Sequence, residues 1–161
     1  MTEIEKIKKE MVIREMKAED RALICDLFDS MGGETRALFN RRDYNRRGVE
    51  KQLVKPDDER RYYIAVADGI AVGYVFFLSY KTGIPEIGIA IRDNLRGVGL
   101  GEILMRYAMD IAREDGKGGI YLTTHVANVR AQALYEKLGF RQMGVAKNGT
   151  ELFYLLSFRD N

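Results

Sequence analysis

The sequence has few of the residues that cross-link or interrupt small proteins. Its 161 residues include one cysteine, one histidine, two prolines and no tryptophan. A single cysteine excludes a disulfide framework, and with a single histidine beside it no Cys/His metal cluster can form, so we predict no metal. Cys25 stands in the apolar run ALICDLF, which favours a buried core thiol over a nucleophile.

Long apolar runs and a dominant charge are also missing. No uninterrupted segment approaches the roughly 18 apolar residues that span a bilayer, and the charged start MTEIEKIKKEM lacks the apolar centre of a secretory signal. The net charge of +2 gives no field that favours nucleic acid or an anionic membrane. Without repeats or a linker, we expect one cytoplasmic domain over residues 1–161, with no nucleic-acid or membrane partner.

Hydrophobic periodicity predicts an α+β order of elements. Strands are predicted at 11–16, in two runs within 61–80, and at 84–92, 118–126, 140–146 and 152–158. Helices are predicted at 18–30, from residue 100 onward and at 128–138, with short helical pieces at 35–39 and 49–54. The pairs Asp68-Gly69 and Asn148-Gly149 predict hairpin turns and antiparallel pairing. The strand–helix–strand unit at 86–125 predicts a local parallel pair through a right-handed crossover.

The most informative local pattern is a glycine turn between a strand and a helix, RGVGLG at 96–101. Glycines let the backbone approach a phosphate, and a helix N-terminus offers unpaired N–H groups with a partial positive charge. A P-loop is excluded because Glu102, not Lys, follows the last glycine, and the same residue breaks a dinucleotide fingerprint. On the turn alone, a glycine-rich loop without a ligand stays an alternative.

A second motif, NVRAQALYEKLGF at 128–140, narrows the interpretation. Together the two motifs resemble those of the GNAT superfamily of N-acetyltransferases, whose Arg/Gln-x-x-Gly-x-Gly/Ala signature corresponds to 96–101. The family's Asn, Ala and Leu-Tyr-Glu-Lys-x-Gly-Phe correspond to Asn128, Ala131 and 134–140. The resemblance covers the C-terminal half and implies a GNAT-like α+β fold. That fold has a central mixed, mostly antiparallel sheet with a local parallel, splayed strand pair, flanked by helices.

The resemblance implies transfer of an acetyl group from acetyl-CoA to a primary amine by direct attack in a ternary complex. Asn128 would contact the pantetheine arm; its alternative role is a helix N-cap, and both can hold. An N–H near Ile91 would stabilise the oxyanion. The pantetheine would pair with Ile89, Ala90 and Ile91, and the pyrophosphate with the backbone of Arg96, Gly97, Val98, Gly99, Leu100 and Gly101.

The resemblance also implies the catalytic residues. Tyr135 matches the tyrosine beside the CoA sulfur and is expected to be the general acid, although periodicity alone would make it a core aromatic. Glu86 is expected to be the base, directly or through water, with a solvent-facing carboxylate as the alternative. His125 ranks behind it. Members that acetylate ribosomal-protein N-termini place a glutamate where this chain has Thr123, which disfavours that subgroup.

The acceptor is less defined. Five arginines in the segment 36–47 could bind an acceptor carboxylate or phosphate, or form a solvated loop: Arg36, Arg41, Arg42, Arg46 and Arg47. Because the sequence shows no acidic cluster, a small amino acid-like amine or a peptide amine is favoured over a cationic polyamine or aminoglycoside. Family members are often dimers, which allows a homodimer. The alternatives are a CoA-binding regulatory module and a longer-chain acyltransferase.

Overall fold

The computed structural model describes residues 1–33, 46–146 and 148–160. In this part of the chain, five α-helices are α1 Glu3–Glu10, α2 Arg21–Asp29, α3 Arg46–Val54, α4 Leu100–Glu114 and α5 Val129–Lys137. The strands are β1 Val12–Glu15, β2 Arg61–Ala67, β3 Ile70–Leu78, β4 Glu86–Ile91, β5 Gly119–His125, β6 Arg141–Ala146 and β7 Glu151–Ser157. Short 3-10 turns are formed by Ala18–Asp20, Asp93–Leu95 and Phe158–Asp160.

The strands form one mixed sheet in the order β1-β2-β3-β4-β5-β7-β6. Every neighbouring pair is antiparallel except β4 and β5, which are parallel and are joined through α4. This confirms the predicted mixed, mostly antiparallel α+β fold with one local parallel pair. The predicted helical piece at 35–39 lies outside the described residues.

Both faces of the sheet are covered, and each has its own apolar core. One core packs α1, α4 and α5 against strand residues such as Val75, Ile87 and Leu122. The other packs α2 and α3 against the opposite face of β2, β3 and β4, around Tyr74 and Phe76. Because side chains alternate along a strand, β2, β3 and β4 each contribute to both cores, as their nearly continuous apolar sequences require.

The two predicted hairpin turns are confirmed by backbone geometry. Asp68 and Gly69 have φ angles of 53° and 74°, and Asn148 and Gly149 have φ angles of 57° and 85°. Two consecutive positive φ angles define the turn whose twist matches that of the flanking strands, and Asn, Asp and Gly adopt them at the least steric cost.

Helix α1 was not expected from periodicity, although the sequence carries a signal for it. The Thr2 side chain accepts a hydrogen bond from the Glu5 N–H, and the Glu5 carboxylate accepts one from the Thr2 N–H, both at 3.1 Å. This reciprocal pair is the capping box that Thr-x-x-Glu encodes. Ile4 and Ile7 then pack against the core beneath α4, which holds the short helix on the sheet.

The expectation of a buried core thiol at Cys25 is wrong. The residue is half-buried at the edge of α2, and its Sγ lies 3.3 Å from Oε1 of Glu50 on α3. The apolar run around it is buried through its neighbours Ile24, Leu27 and Phe28 instead. The helical phase places Cys25 beside that stripe, where it faces the adjacent helix.

Among the described residues, no helix has the length and apolar character that a membrane crossing requires.

Candidate functional site

The site begins with an opening in the sheet between β4 and β5. The two strands pair only where Glu86 lies beside Tyr121, with the Tyr121 N–H donating to Pro85 O at 3.1 Å. In contrast, β4 pairs with β3 along its whole length, from Glu86 to Ile91. The described strands β4 and β5 therefore diverge after their first residues and leave a gap that opens toward the glycine turn.

The pairing register shows which backbone groups face this gap. The Arg92 N–H donates to Val72 O at 2.8 Å, so the alternate residues Ala90 and Gly88 also direct their N–H and C=O groups toward β3. Ile89 and Ile91 must then direct theirs toward β5, where no described strand residue pairs with them. Two N–H groups and the Ile89 carbonyl are thus available to an extended ligand lying in the gap.

The glycine turn closes the wide end of the gap. Gly97 and Gly99 have φ angles of 74° and 93°, which L side chains rarely adopt, and Gly99 immediately precedes the first residue of α4. The first turn of this 15-residue helix has no side-chain cap, so its N–H groups and the positive end of its dipole face the turn. A Cβ on Gly97 or Gly99 would project among cationic side chains at 3.1–3.6 Å.

A cavity of about 240 Å³ connects the gap and the turn. Among the predicted residues, its lining includes Ile89, Ile91, Arg96, Gly97, Gly99, Gly101, Asn128 and Tyr135. Its remaining lining comes mainly from the exposed side of α5 and the start of α4: Leu95, Glu102, Arg130, Ala131, Leu134 and Lys137. A narrow apolar channel that ends at a helix N-terminus can hold a chain-like molecule with a phosphate at one end.

Three predicted cofactor residues do not line this cavity. Ala90 pairs with β3 and is 1% exposed in the core beside α2, because β4 alternates its side chains between two faces. Leu100, the first residue of α4, is buried on the side of the helix that faces the core, and Val98 packs against the same core. Their side chains serve packing, so at positions 98 and 100 only the backbone is left for the predicted role.

Tyr135 lies at the inner end of the cavity. Its ring packs against Phe140 and Tyr154, with centroid distances of 5.9 and 6.1 Å, and its hydroxyl forms no hydrogen bond with a described residue. Burial raises the pKa of Tyr135 to about 12, so the hydroxyl keeps its proton at neutral pH. The residue is therefore both a core aromatic, as periodicity indicates, and a protonated tyrosine that lines the cavity.

Asn128 and His125 lie in the turn between β5 and α5. The Asn128 side chain accepts a hydrogen bond from the Ala131 N–H at 3.3 Å, which confirms its predicted N-cap role while it also lines the cavity. His125 accepts from the Ala127 N–H through Nδ1 at 3.0 Å. This bond occupies one of its two ring nitrogens in holding the turn, as expected of a structural histidine at a strand end.

Glu86 lies on the other face of the sheet from Tyr135. Along β4, Ile87, Ile89 and Ile91 face α4, so Glu86 faces the side covered by α2 and α3. Gly88, next on that face, leaves room for the Phe76 ring, which would lie 2.2 Å from a Cβ there. Glu86 is only 4% exposed, so the alternative of a solvent-facing carboxylate is wrong.

The sequence analysis did not assign most of the charged residues that line the cavity to the site. Arg130, Leu134 and Lys137 follow one helical stripe, a spacing that could have identified them. Lys137 Nζ lies 2.8 Å from Glu102 Oε1, and Arg106 Nε lies 3.0 Å from Glu102 Oε2. Hydrogen bonds from Lys137 and Arg106 lower the pKa of Glu102. The one carboxylate at the start of α4 is thus neutralised by two cations.

Only part of the arginine-rich segment is described. Arg46 forms an ion pair with Asp29 at 2.8 Å, which ties α3 to α2, and another with Glu50 of its own helix at 3.3 Å. Hydrogen bonds from Cys25 and from Arg46 lower the pKa of Glu50. Arg46 therefore holds two helices together. Three of the other arginines, at positions 36, 41 and 42, lie outside the described residues.

Comparisons with known proteins agree with this geometry. The family model described as "Acetyltransferase (GNAT) family" matches residues 24–140. A streptothricin acetyltransferase of Streptomyces lavendulae is 36% identical over 94 residues, covering 55% of this chain and 49% of its own length. A putative [ribosomal protein bS18]-alanine N-acetyltransferase of Bacillus subtilis is 33% identical over 87 residues, covering 54% and 58%. The chain thus spans about half the length of these curated relatives.

Among solved structures, a PaiA N-acetyltransferase of Thermoplasma acidophilum in complex with coenzyme A has the same fold. It superposes with a TM-score of 0.75 at 18% identity, over 92% of this chain and 99% of its own.

Proposed function

The chain belongs to the GNAT acetyltransferase family, and from that premise we propose that it transfers an acetyl group from acetyl-CoA to a primary amine. The observation that carries the proposal is the cavity, which joins the gap between β4 and β5 to the glycine turn and has Tyr135 at its inner end. We propose that residues 1–161 form one catalytic unit, because all the described strands belong to a single sheet.

We propose that the N–H groups of residues 96–101 hold the pyrophosphate of the cosubstrate. Gly97 and Gly99 support this role, since their positive φ angles and missing side chains keep the turn open. The pantetheine arm would lie in the gap and pair with Ile89 and Ile91, in the manner of an added strand. Asn128, at the edge of the cavity, would contact the same arm.

The reaction needs a deprotonated amine, hydrogen-bond donors for the oxyanion, and a donor that stabilises the negative charge of the leaving thiolate. The amine nitrogen attacks the thioester carbonyl, and the C–S bond breaks as the tetrahedral intermediate collapses. Freeing a lysine-like amine of its proton at neutral pH costs about 5 kcal/mol. We propose that Glu86 is the base that removes this proton, directly or through water. His125 is the second choice, because its Nδ1 already accepts a hydrogen bond from the Ala127 N–H. The Ile91 N–H, which points into the gap, would stabilise the oxyanion.

We assign the general-acid role to Tyr135. Its pKa of about 12 lies above that of a free thiol, near 8.5, so complete proton transfer to the thiolate would be uphill by about 5 kcal/mol. A hydrogen bond that strengthens as charge develops on sulfur has no such cost. We therefore propose that Tyr135 stabilises the departing thiolate by donating a hydrogen bond to it. The thiolate is then protonated after the attacking amine has released its proton.

For the acceptor we propose a small amino acid-like amine or a peptide amine. The relatives named for streptothricin and for a ribosomal-protein alanine support amine acceptors of more than one class. Thr123 stands where the ribosomal-protein subgroup is expected to carry a glutamate, which argues against that narrower substrate.

The test is thiol release from acetyl-CoA across a panel of amino acids, peptides with free N-termini or lysines, aminoglycosides and polyamines. Acetyl-dependent turnover with one class supports the proposal and names the acceptor. Parallel reactions with propionyl- and butyryl-CoA separate an acetyltransferase from a longer-chain acyltransferase. Calorimetric binding of acetyl-CoA without turnover of any amine would favour a CoA-binding module, and no binding at all would refute the proposal.

A further inference from the structure

We propose that helix α1 is part of the cosubstrate site, with Lys8 and Arg130 binding phosphate oxygens of the CoA moiety at two points of the glycine turn. This inference rests on the proposed function. It assigns these side chains to a site that the sequence motif describes only through its backbone.

Lys8 reaches the turn from the helix that precedes β1. Its Nζ lies 3.1 Å, and its Cε 3.7 Å, from where a Cβ on Gly99 would stand. The backbone that carries it is fixed, because Ile7 is 7% exposed in the core and the Thr2–Glu5 capping box closes the start of the helix. The fixed backbone places the ammonium group of Lys8 within reach of Gly99, the residue that immediately precedes α4.

Arg130 reaches the same turn from α5. Its Cζ lies 3.6 Å, and its Nη1 3.7 Å, from where a Cβ on Gly97 would stand, and the side chain lines the cavity. A guanidinium can donate two parallel hydrogen bonds to a phosphate, whereas an ammonium acts as a point charge. Together with the N–H groups of the first turn of α4, the two side chains form a cationic pocket.

Charge balance singles out these two cations. Lys137 is paired with Glu102 at 2.8 Å, and Arg96 contacts Asp93 and the Ile91 carbonyl. Within the described residues, neither Lys8 nor Arg130 forms an ion pair or a side-chain hydrogen bond. Two uncompensated cations at the positive end of a 15-residue helix repel each other, and a phosphate placed between them removes that repulsion.

Helix α1 also lies outside the part of the chain that matches the family model. The match covers residues 24–140, so it includes Gly97, Gly99 and Arg130 but not Lys8. The turn and Arg130 therefore lie in the matched part, whereas the contact from Lys8 is supplied by a helix outside it.

The experiment measures CoA affinity by titration calorimetry on the full chain and its variants. Lys8→Met keeps the length of the side chain and removes the charge, and we expect it to weaken CoA binding by about tenfold, as loss of a charged hydrogen bond does. Arg130→Met should have a similar or larger effect. Lys8→Arg should keep most of the affinity. Lys9→Met, the matched control one residue along the same exposed helix end, should change it by less than about twofold.

Titration with 3′-dephospho-CoA identifies the phosphate concerned. If the Lys8→Met loss persists with this ligand, the contact is to the pyrophosphate, and if it disappears, the contact is to the 3′-phosphate. Equal CoA affinity in the unaltered chain and in Lys8→Met would overturn the role of α1 and leave the proposed function standing. Failure of the unaltered chain to bind CoA would overturn both.

Discussion

At the scale of single residues, Tyr135 combines two demands on one side chain. Its ring fills the core between Phe140 and Tyr154, while its hydroxyl, with a pKa raised by burial to about 12, faces the cavity. We expect Tyr135→Phe to lower kcat by on the order of 100-fold, since only the donor to the leaving thiolate is lost. Thiol-release kinetics measure kcat, and calorimetry should show an unchanged affinity for acetyl-CoA.

Tyr154→Phe is the matched control for that variant. It removes a hydroxyl one ring away, from a side chain that does not line the cavity, and should leave kcat within about twofold. A wild-type rate in Tyr135→Phe would remove this tyrosine from the mechanism.

Gly99 is the residue on which the proposed phosphate pocket depends most directly. Its φ of 93° strains any L side chain, and a side chain there would project beside Lys8 into the space proposed for the phosphate, so we expect Gly99→Val to abolish detectable acetyl-CoA binding. Calorimetry measures the binding, and a thermal melt shows that the variant folds. Gly149→Ala is the control, because it carries similar backbone strain, at φ 85°, with open space around its Cβ. Undiminished affinity in Gly99→Val would refute the pyrophosphate assignment.

At the scale of elements, a buried carboxylate joins β1 to the start of α2. Asp20 is 3% exposed and receives two hydrogen bonds from Arg14, at 2.6 and 2.7 Å, and one from the Lys17 N–H at 2.8 Å. The hydrogen bonds from Arg14 lower the pKa of Asp20. The unfolded chain binds this proton near pH 3.9, so the stabilisation is complete above that pH and is lost as the pH falls through the folded pKa.

We therefore expect Asp20→Asn to lower the free energy of unfolding by about 1–3 kcal/mol at pH 7. Urea unfolding measures it, and the difference from the unaltered chain should shrink as the pH is lowered below about 4. Glu19→Gln, at an exposed neighbouring position, should change stability by less than about 0.5 kcal/mol. A difference that stays constant with pH would show that the charge of Asp20 is not what stabilises this junction.

At the scale of the whole molecule, the proposed function would have the two substrates meet at the gap between β4 and β5. Tyr135 belongs to the face covered by α4 and α5, and Glu86 to the face covered by α2 and α3. The cosubstrate and the amine are accordingly expected to approach from opposite faces. This arrangement predicts that changes on one face leave binding on the other unaffected.

Glu86→Gln tests that separation. We expect kcat/KM for the amine to fall by about 100-fold or more at pH 7, because the proposed base is lost, with no change in acetyl-CoA affinity. The loss of kcat/KM should become smaller as the pH approaches the pKa of the amine, near 10 for a lysine-like acceptor, since a deprotonated acceptor needs no base. A deficit that is the same at every pH would indicate that Glu86 positions the acceptor or supports the fold instead.

The fold could be predicted from sequence because its signals are local. Turn pairs such as Asp68-Gly69, the apolar stripe of α4 and the glycine turn each specify their own segment. The two motifs were enough to identify Gly97, Gly99, Asn128 and Tyr135, and the structure brings these four together around one cavity. Helix α1 was not predicted because its eight residues contain only two apolar ones, Ile4 and Ile7, although its capping box could have been recognised in the sequence.

The sequence by itself determined the chemistry of the turn, because backbone freedom and a helix N-terminus are properties of a few consecutive residues. Only the tertiary structure decided which side chains face it. The backbone groups of Ala90 face β3 instead of the gap because β4 pairs with β3. Lys8 lies beside Gly99 although it belongs to a helix about 90 residues earlier in the chain. Such contacts depend on packing between distant segments, and no local pattern encodes their direction.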